Sequence, residues 1–493
     1  MLDSAPSSDS DSQAARSVSS HSSDLSRRDF LKRAGAGAAI ASTLPTIIPE
    51  SVRGANDTIN VAVVGIRSRG GSHISQFAGM DNVRVKTLCD VDENLFPDRV
   101  AAFEEEHGYE PETEHDMRRV FDDPEIDAVG FATPNHWHAL GAIWAAQAGK
   151  HVYVEKPASH RLWEGRQMVH AARANDVIMQ VGFQNRSRQT TRSAIKFLRE
   201  GGIGEVYMAR GLCYKPRWDI GRYPNGPMPD DAEGFALTTD SEPSMPAYTE
   251  DYLSRVHYDM WMGPAEERPF NPNRFHYNWH WQWAYGNGDT GNQGPHQIDI
   301  GRWGLGKEEY PEKIHSSGDL FLFEDSAQTT PNTQTTVFEY ADGTIFEFGT
   351  RGLFTPADGD IKIGNIFYGS EGWLEIDAGG NWQSYMGYDG EPGPSSENVS
   401  ESEYDPSNLA GTGGGGHFAN FIAAVRSGNR EDLTCDIEVG HRSSALAHLG
   451  NVSYRLDREL RFDGEEEQFV DDDEANAQLS REQYRDPYVV PNL

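Results

Sequence analysis

Residues 61–70 read VAVVGIRSRG, an apolar run that ends in a glycine-rich turn. Gly65 and Gly70 are the first and third glycines of a Gly-x-Gly-x-x-Gly pattern, and Arg67 stands at the second position. Gly65 permits a tight turn after a strand, and Gly70 permits close packing where a helix begins. Arg67 prevents the closest backbone approach to a phosphate but offers it a cation beside the helix N-terminal amides. The motif is weak alone and predicts a strand, turn and helix that bind a dinucleotide.

Apolar runs alternate with amphipathic stretches from residue 59 to residue 183. This alternation is typical of βαβ units, which build a parallel sheet. The predicted strands are 59–64, 83–89, 126–132, 152–154 and 177–183, and the predicted helices include 95–107, 136–148 and 162–175. We therefore predict a Rossmann parallel-sheet domain over residues 58–184.

The character of the sequence changes after residue 184. Proline, glycine and aromatic residues dominate 215–285, a stretch too long to be merely a connection. Asp342-Gly343 and Glu371-Gly372 lie between strand-like runs as hairpin turns, so an antiparallel sheet is expected. The other predicted elements are helices at 190–200, 417–426 and 438–456 and a strand at 206–214. We predict a second domain over 185–462 and an acidic C-terminal tail at 463–493, in which 463–474 is expected to be a solvated or loosely docked end.

The first 57 residues have the form of an export signal with a linker. A polar start leads to Ser26-Arg27-Arg28-Asp29-Phe30-Leu31-Lys32 and then to the small apolar stretch 34–48. This order is typical of the twin-arginine export signal. The apolar stretch is too short for a stable membrane span, which needs roughly 20 residues. We predict a periplasmic protein with no membrane span after removal of the signal.

The chain carries 77 acidic and 43 basic side chains, which gives a formal charge of −34. Such an excess repels phosphate backbones and anionic lipids, so nucleic acid is excluded as a partner. An acidic surface adapted to solubility, for instance in concentrated salt, and an acidic binding face both stay open. Cys89, Cys213 and Cys435 are too dispersed for a disulfide framework or a thiolate metal site. No spacing of His, Asp and Glu predicts a metal site.

Asp90 lies 25 residues after Gly65, at the end of the second predicted strand. A carboxylate at this position accepts hydrogen bonds from ribose hydroxyls and repels a 2′-phosphate, which favours NAD over NADP. The alternative is that Asp90 caps the next helix.

Lys156 follows the strand 152–154 within Glu155-Lys156-Pro157. Ligands of open α/β sheets bind at the carboxyl ends of strands, so this amine is expected in the cofactor crevice. Burial and a positive nicotinamide would lower its pKa, which makes it a candidate base, and a surface ion pair is the alternative. The predicted cofactor-binding residues are Gly65, Arg67, Ser68, Arg69, Gly70, Asp90, Thr133, Asn135, His138, Glu155 and Lys156.

A second polar cluster, GNGDTGNQGPHQID, occupies residues 286–299. Asn292, His296 and Asp299 have helical spacing and are expected on one face, with His296 as a base that the other two orient. Upstream, 275–283 mixes aromatic rings with polar donors, which suits flat sugar faces and suits core packing equally well. The predicted substrate contacts are Asn292, Trp283, His280 and Arg186.

By its glycine turn, Glu155-Lys156-Pro157 and the stretch 291–303, the chain resembles the Gfo/Idh/MocA oxidoreductases, which include glucose-fructose oxidoreductase and inositol dehydrogenase. The resemblance implies a Rossmann domain followed by an α/β domain with a large, mostly antiparallel open sheet. That sheet forms the substrate floor and commonly the oligomer interface, so a homo-oligomer, dimer or tetramer, is expected. The resemblance also implies that Lys156 and His296 are the catalytic pair and that Asp90 contacts the adenosine ribose.

One position departs from the family pattern, because Asn292 stands where many relatives have an aspartate. An amide can position a hydroxyl but cannot carry a proton away. The resemblance implies an NAD(P)-dependent oxidoreductase for a secondary hydroxyl or keto group of a sugar or cyclitol, with NAD as the expected cofactor. Two alternatives stay open, a glycosidase or lyase that recycles NAD through a transient keto-sugar and a non-catalytic sugar-binding protein.

Overall fold

The computed structural model describes residues 58–234, 245–398 and 416–493. The predicted export signal lies outside these residues. Within them the chain forms a parallel six-stranded sheet and a ten-stranded, mostly antiparallel sheet. The predicted fold class is therefore confirmed.

The first sheet contains six parallel strands with helices between them. The strands are β1 (Ile59–Val64), β2 (Val83–Cys89), β3 (Glu112–Glu114), β4 (Ala128–Phe131), β5 (His151–Val154) and β6 (Met179–Val181). The helices are α1 (Ser68–Ala78), α2 (Phe96–His107), α3 (Met117–Asp122), α4 (Asn135–Gln147) and α5 (Leu162–Ala174). The strand order is β3-β2-β1-β4-β5-β6, so the chain direction across the sheet reverses between β1 and β4 and opens a crevice there.

The inner strands of this sheet are continuously apolar because helices cover both faces. Val61 in β1 is fully buried and pairs with Val85 on one side and Ala128 on the other. The edge strand β3 reads Glu-Thr-Glu and has no apolar residue, which is why the hydrophobic pattern did not predict it.

The second sheet contains ten strands. They are β7 (Val206–Cys213), β8 (Lys313–Asp319), β9 (Thr333–Glu339), β10 (Ile345–Arg351), β11 (Ile363–Gly369), β12 (Gly372–Asp377), β13 (Trp382–Met386), β14 (Glu391–Ser395), β15 (Leu460–Asp463) and β16 (Gln468–Phe469). Their order is β14-β13-β12-β11-β7-β10-β9-β8-β15-β16, and β7 with β10 is a parallel pair. Both predicted hairpins are present, as β9 with β10 and β11 with β12.

Helices cover the inner face of the second sheet and join it to the first. The remaining helices are α6 (Gln189–Arg199), α7 (Glu250–Leu253), α8 (Tyr258–Met262), α9 (Gly288–Gly291), α10 (Gly294–Leu305), α11 (Gly416–Ser427), α12 (Ile437–Leu456) and α13 (Asp473–Asn476). A Cβ at Gly301 would lie 2.4 Å from the Phe346 ring, so glycine lets α10 pack directly on β10. In the described part of the chain, no helix combines the length and apolar character needed to cross a membrane.

The chain returns to the first sheet after completing most of the second. Helix α11 packs Phe418 against Tyr153 of β5, with ring centroids 4.3 Å apart. Cys435 and Ile437 are buried in the core on the other face of the same sheet. The first sheet therefore ends near the predicted boundary at residue 184, but residues far beyond that boundary complete its hydrophobic core.

The prediction of a loosely docked tail is wrong. Phe469 and Leu479 are buried in the core of the second sheet, while Tyr488 and Val490 are buried in the core of the first. The acidic residues of 463–474 obscured this because Phe469 is the buried apolar side chain of that run, and the other buried side chains follow it. Burial of those few side chains is enough to fix the segment.

The irregular stretch before α9 has an apolar core of its own. Tyr248, Trp261, Phe275 and Tyr285 are buried together, and their rings meet mainly edge to face. This cluster stands beside the crevice at the carboxyl ends of β1 and β4. The stretch is thus a wall of the crevice rather than a connection.

Candidate functional site

The turn between β1 and α1 has the tight geometry that its glycines predict. Gly65 has φ +85°, and a Cβ there would lie 2.8 Å from the backbone carbonyl of Ala132. A Cβ at Gly70 would lie 1.8 Å from the carbonyl oxygen of Gly65. No side chain fits either position, so the start of α1 packs directly against the turn and lies beside the end of β4.

A cavity of about 310 Å³ opens at this turn. Ten of the eleven predicted cofactor-binding residues line it, namely Gly65, Arg67, Ser68, Arg69, Asp90, Thr133, Asn135, His138, Glu155 and Lys156. Gly70 packs behind the turn instead. The opposite wall comes from the C-terminal domain and includes Trp261, Phe275, Tyr277, Trp279, His280 and Asn292. Both domains therefore contribute to one cavity.

Asp90 lines this cavity at the end of β2. Its carboxylate accepts from the backbone N–H of Ile66 at 2.9 Å and from that of Asp92 at 3.0 Å. Burial raises the pKa of Asp90 to about 6. A carboxylate has about four acceptor sites, so Asp90 keeps capacity for ligand hydroxyls. The nearby cap is made by Asp92, which accepts from the Asn94 N–H, so the alternative role for Asp90 as a helix cap is not needed.

Glu155 fixes the segment that carries Lys156. It accepts from Arg69 Nε at 2.7 Å and Gln184 Nε2 at 3.1 Å, and His73 Nε2 lies 3.2 Å away. Burial acts to raise the pKa of Glu155, but the His73 hydrogen bond and the Arg69 charge outweigh it and hold the pKa well below its usual range. The carboxylate therefore stays ionised and ties β5 to α1.

Lys156 points across the cavity to the second domain. Its Nζ donates to the backbone carbonyl of Asn292 at 2.7 Å. Burial lowers the pKa of Lys156, and the Glu155 charge opposes this only in part. The partner of the amine is thus a neutral oxygen in the cavity wall, which differs from the surface ion pair considered as the alternative.

His296 lies in the first turn of α10, close enough to Lys156 for the two groups to interact. Burial and the positive charge of Lys156 lower the pKa of His296 to about 3. The ring meets Phe183 edge-on, with centroids 6.2 Å apart, and Nδ1 is buried without a hydrogen-bond partner among the described residues. His296 is therefore neutral at pH 7 and offers one donor and one acceptor.

The expected helix face of Asn292, His296 and Asp299 does not form. Asn292 precedes α10, with φ −92° and ψ −78°. Asp299 accepts from Arg186 at 2.7 to 2.9 Å and from Ser443 Oγ at 2.7 Å. The expectation that Asp299 orients His296 is wrong, because the buried Arg186 guanidinium requires that carboxylate as its counter-ion.

The four predicted substrate contacts separate in the structure. Asn292 and His280 line the cavity, and His280 Nδ1 lies 2.6 Å from the Tyr277 carbonyl oxygen. Arg186 is held by Asp299, and Trp283 lies under the Arg455 guanidinium at 5.6 Å. The 3₁₀ helix His276–Trp281 spreads the aromatic side chains around its axis, so only some of them face the cavity. The prediction that Arg186 and Trp283 contact substrate is not supported by this placement.

Sequence reasoning missed a buried ion pair between Arg217 and Asp289. Arg217 Nε donates to Asp289 at 2.7 Å, and the two side chains are 6% and 4% exposed. The Arg217 guanidinium also lies 5.1 Å from the Trp281 ring, which joins the aromatic wall to the segment before Asn292. The partners are 72 residues apart, so no local pattern marks Arg217.

The residues around the cavity fit a dinucleotide. The glycine turn excludes side chains at the start of α1, where backbone N–H groups favour phosphate. Thr133 Oγ1 is buried without a hydrogen-bond partner among the described residues and belongs to a residue that lines the cavity. Arg67 supplies positive charge and Asp90 supplies an acceptor for hydroxyls. Such a set matches the phosphates and riboses of a nicotinamide cofactor.

Two family models match the chain. The description "Oxidoreductase family, NAD-binding Rossmann fold" applies to residues 59–183. The description "Oxidoreductase family, C-terminal alpha/beta domain" applies to residues 246–348 and 414–490. Both models belong to the Gfo/Idh/MocA group, and together they match well over half of the 493 residues.

Curated relatives match part of the chain. A levoglucosan dehydrogenase from Pseudarthrobacter phenanthrenivorans is 33% identical over 179 residues, which are 34% of this chain and 44% of that protein. A glycosyl hydrolase family 109 protein from Shewanella pealeana is 30% identical over 218 residues, 40% of this chain and 48% of that protein. The chain thus spans about half the length of these relatives.

Solved structures share the fold at low identity. An aldose-aldose oxidoreductase from Caulobacter crescentus, complexed with glycerol, has a TM-score of 0.58 and 16% identity, covering 82% of this chain and 100% of that one. A levoglucosan dehydrogenase in complex with NADH and levoglucosan has a TM-score of 0.55 and 20% identity, covering 82% and 99%. At such identities the likeness concerns the fold.

Proposed function

Because the chain belongs to the Gfo/Idh/MocA oxidoreductase family, with an NAD-binding Rossmann fold and a C-terminal α/β domain, we propose that it is an NAD-dependent oxidoreductase for a secondary hydroxyl or keto group of a sugar or cyclitol. The observation that carries this proposal is the contact of Lys156 with the Asn292 carbonyl, which holds a partly buried amine in the cavity beside the glycine turn. The similarity to levoglucosan dehydrogenase supports a carbohydrate substrate.

We assign the movement of one proton to Lys156 and the polar groups near it. A bound nicotinamide supplies hydride acceptance from the carbon that bears the hydroxyl. The neutral amine of Lys156 accepts the hydroxyl proton. His296 binds the hydroxyl by a hydrogen bond rather than taking its proton, because a pKa of about 3 makes the imidazole a weak base. The Asn292 amide orients a neighbouring hydroxyl and leaves the proton to Lys156.

Asp90 supports the choice of NAD over NADP. The carboxylate lines the cavity at the end of β2, where the ribose of a dinucleotide binds in Rossmann domains. Once ionised, it accepts from ribose hydroxyls and repels a 2′-phosphate. Because its pKa is about 6, the carboxylate is ionised at neutral pH.

A second candidate is a glycosidase or lyase that keeps NAD bound and acts through a transient keto-sugar. The observation that favours it is the match to glycosyl hydrolase family 109 proteins, at 30% identity over 40% of this chain. In this chain such an activity would begin with the same oxidation by the same groups, so the cavity alone is compatible with both candidates.

We propose further that the protein is exported by the twin-arginine route to the periplasm. The support is the Arg27-Arg28 motif, and that route carries folded protein, so a tightly held cofactor would travel with the chain. We also propose a homo-oligomer, dimer or tetramer, built on the open face of the second sheet. The stacked, half-buried rings of Trp373 and Tyr385 on this sheet offer apolar area for such contact.

The test uses the full chain, titrated by calorimetry with NAD and NADP in parallel and then assayed with sugars, cyclitols and aryl glycosides. Turnover is followed by the absorbance of reduced nicotinamide. We expect tighter binding of NAD, sugar-dependent reduction, and a loss of turnover by about 10²- to 10⁴-fold in Lys156→Ala. The matched control is Lys196→Ala, because this lysine is exposed on α6.

Three outcomes decide between the candidates. Release of an aglycone without accumulation of reduced nicotinamide would replace the first function by the second. Sugar binding with no change at the nicotinamide in the parent protein would favour the non-catalytic alternative. Turnover at the parent rate in Lys156→Ala would remove the proposed base.

A further inference from the structure

Three side chains from separate segments meet beside the cavity. Glu93 lies in the short turn after β2, His115 follows β3, and His257 precedes α8. His257 Nε2 lies 2.7 Å from Glu93 Oε1, and His115 Nδ1 lies 3.7 Å from the same oxygen. One ligand atom from each residue can be chosen so that all three lie within 4.8 Å of one another.

The backbone holds these segments together independently of the side chains. The Glu93 N–H donates to the Arg255 carbonyl at 3.0 Å, and the His257 N–H donates to the Val91 carbonyl at 2.8 Å. Asp92 and Val256 form a β-bridge between these two bonds. Glu93 and His257 are therefore placed on a fixed frame, which is the condition for a preformed ligand set.

The imidazole rings of His115 and His257 are stacked face to face. Their centroids are 3.9 Å apart and the rings are inclined by 8°. The Glu114 carboxylate lies 3.5 Å from His115 Nδ1 and accepts from the backbone N–H of Asp116 at 3.0 Å. An ion pair with Glu93 accounts for His257, but it does not account for His115 facing the same oxygen.

We propose that Glu93, His115 and His257 bind one divalent cation of the zinc type. Two nitrogens and one carboxylate oxygen suit Zn²⁺, Co²⁺ or Ni²⁺, whereas Mg²⁺ and Ca²⁺ require mainly oxygen ligands. Zinc–ligand bonds are about 2.0–2.2 Å long, so two ligand atoms on one ion lie roughly 3–4 Å apart. Side-chain rotations that move these ligand atoms by about one ångström or less bring all three into that range. Water would complete the coordination, because each of the three side chains is about a third exposed.

The position of the site gives the ion a structural task. Glu93 and His115 belong to the Rossmann domain, and His257 belongs to the segment that also carries the cavity residue Trp261. His115 itself lines the cavity. A bound ion would therefore link the two walls of the cavity near Asp90, whose backbone N–H donates to the Glu114 carbonyl beside His115.

The experiment measures metal binding without cofactor, so its failure leaves the proposed function unaffected. The full chain, free of any histidine tag and stripped with a chelator, is titrated by calorimetry with Zn²⁺, Co²⁺ and Mg²⁺. We expect one Zn²⁺ or Co²⁺ per chain at this site, no comparable Mg²⁺ binding, and a higher unfolding temperature with Zn²⁺. Visible absorption of the Co²⁺ form reports nitrogen and oxygen ligands.

The variants separate a metal site from a simple ion pair. We expect each of His257→Ala, His115→Ala and Glu93→Gln to weaken Zn²⁺ binding by at least about tenfold. Even residues that only hydrogen-bond to a metal ligand typically lower metal affinity by that factor when they are replaced. Glu93→Gln keeps an acceptor for His257 and so preserves folding. The control His315→Ala removes an exposed histidine on β8 and should leave binding unchanged. Equal Zn²⁺ affinity in all four variants, or no binding by the parent chain, would overturn the proposal.

Discussion

The informative feature at the residue scale is the partner of Lys156. Its sequence neighbour Glu155 is a carboxylate, but that carboxylate is already bound by Arg69, Gln184 and His73. The amine therefore donates to the neutral carbonyl of Asn292, and burial lowers its pKa. A lysine held in this way becomes neutral at a lower pH than a lysine paired with a carboxylate, which suits a base.

This environment predicts the pH dependence of oxidation. The neutral amine is the reactive form, so kcat/KM should rise with pH through the pKa of Lys156 and then level off. That pKa lies below 10.5, because burial disfavours the charged form. The rate of the reverse reduction should fall over the same interval. His296, with a pKa of about 3, is neutral throughout and contributes no step above pH 5.

The measurement is a pH–rate profile at saturating NAD, so that titration of Asp90 does not enter. Lys156→Arg keeps the positive charge but cannot release its proton in this range, and its profile should lack the rising limb. A limb of the same midpoint in Lys156→Arg would assign the titration to another group. A fall of the oxidation rate with rising pH would contradict the role of the amine as base.

At the element scale, the junction of β1 and α1 decides whether the cavity can hold a dinucleotide. Gly70 and Gly71 of this junction differ in whether a side chain could be accommodated. A Cβ at Gly70 would lie 1.8 Å from a backbone oxygen, whereas a Cβ at Gly71 would first meet the Arg99 guanidinium at 3.0 Å. A backbone atom cannot yield at this junction, but the end of an arginine side chain can.

Gly70→Ala is therefore expected to displace α1 from the turn. The added methyl group should cost roughly 1–3 kcal/mol of stability, as overpacking does in cores. It should weaken NAD binding by at least about tenfold, which corresponds to about 1.4 kcal/mol. Gly71→Ala is the matched control, and since alanine favours helices it should bind NAD as the parent does. Thermal unfolding and NAD calorimetry check both, and parental binding by Gly70→Ala would contradict the close packing.

The start of α10 shows how an element boundary changes a site. Helical spacing groups Asn292, His296 and Asp299 only if one helix contains all three. The helix begins at Gly294, so Asn292 lies before it, turns its carbonyl to Lys156 and lines the cavity without the other two residues. The ends of helices depend on local caps and turns, and sequence patterns locate them poorly.

At the scale of the whole molecule, the charge of −34 is the dominant electrostatic feature. Like charges repel in the folded chain more strongly than in the expanded unfolded chain. Exposed ion pairs oppose this effect weakly, since each is worth about 0–1 kcal/mol. Salt weakens both the repulsion between like charges and the attraction within ion pairs. Because the excess of negative charge is so large, the repulsion is the larger of these two effects.

We therefore expect the unfolding temperature to rise by several degrees between 0.1 M and 1 M NaCl, where the Debye length falls from about 10 Å to about 3 Å. NaCl is preferred to sulfate, which stabilises proteins by exclusion from their surface. Scanning calorimetry at a fixed protein concentration provides the measurement. An unfolding temperature that is constant or falls with NaCl would show that the acidic surface is balanced by its ion pairs.

The sequence by itself determined the fold class and one end of the cavity. The elements β1 and β2 lie where the apolar runs place them, and Gly65, Asp90, Thr133 and Lys156 line one cavity because they follow the ends of parallel strands. Strand ends of a parallel sheet meet at one edge, so a local pattern carries three-dimensional information there. Helix α12 was equally visible from its periodicity.

The tertiary structure alone decided which polar groups are partners. Arg186 binds Asp299, Arg217 binds Asp289, and Glu93 meets His257, across 72 to 164 positions of the chain. Such pairs depend on how buried charges find counter-ions when separate segments pack, and spacing along the chain contains no record of that choice. For the same reason, the sequence did not predict that Tyr488 and Val490 of the C-terminal tail pack into the core of the first sheet.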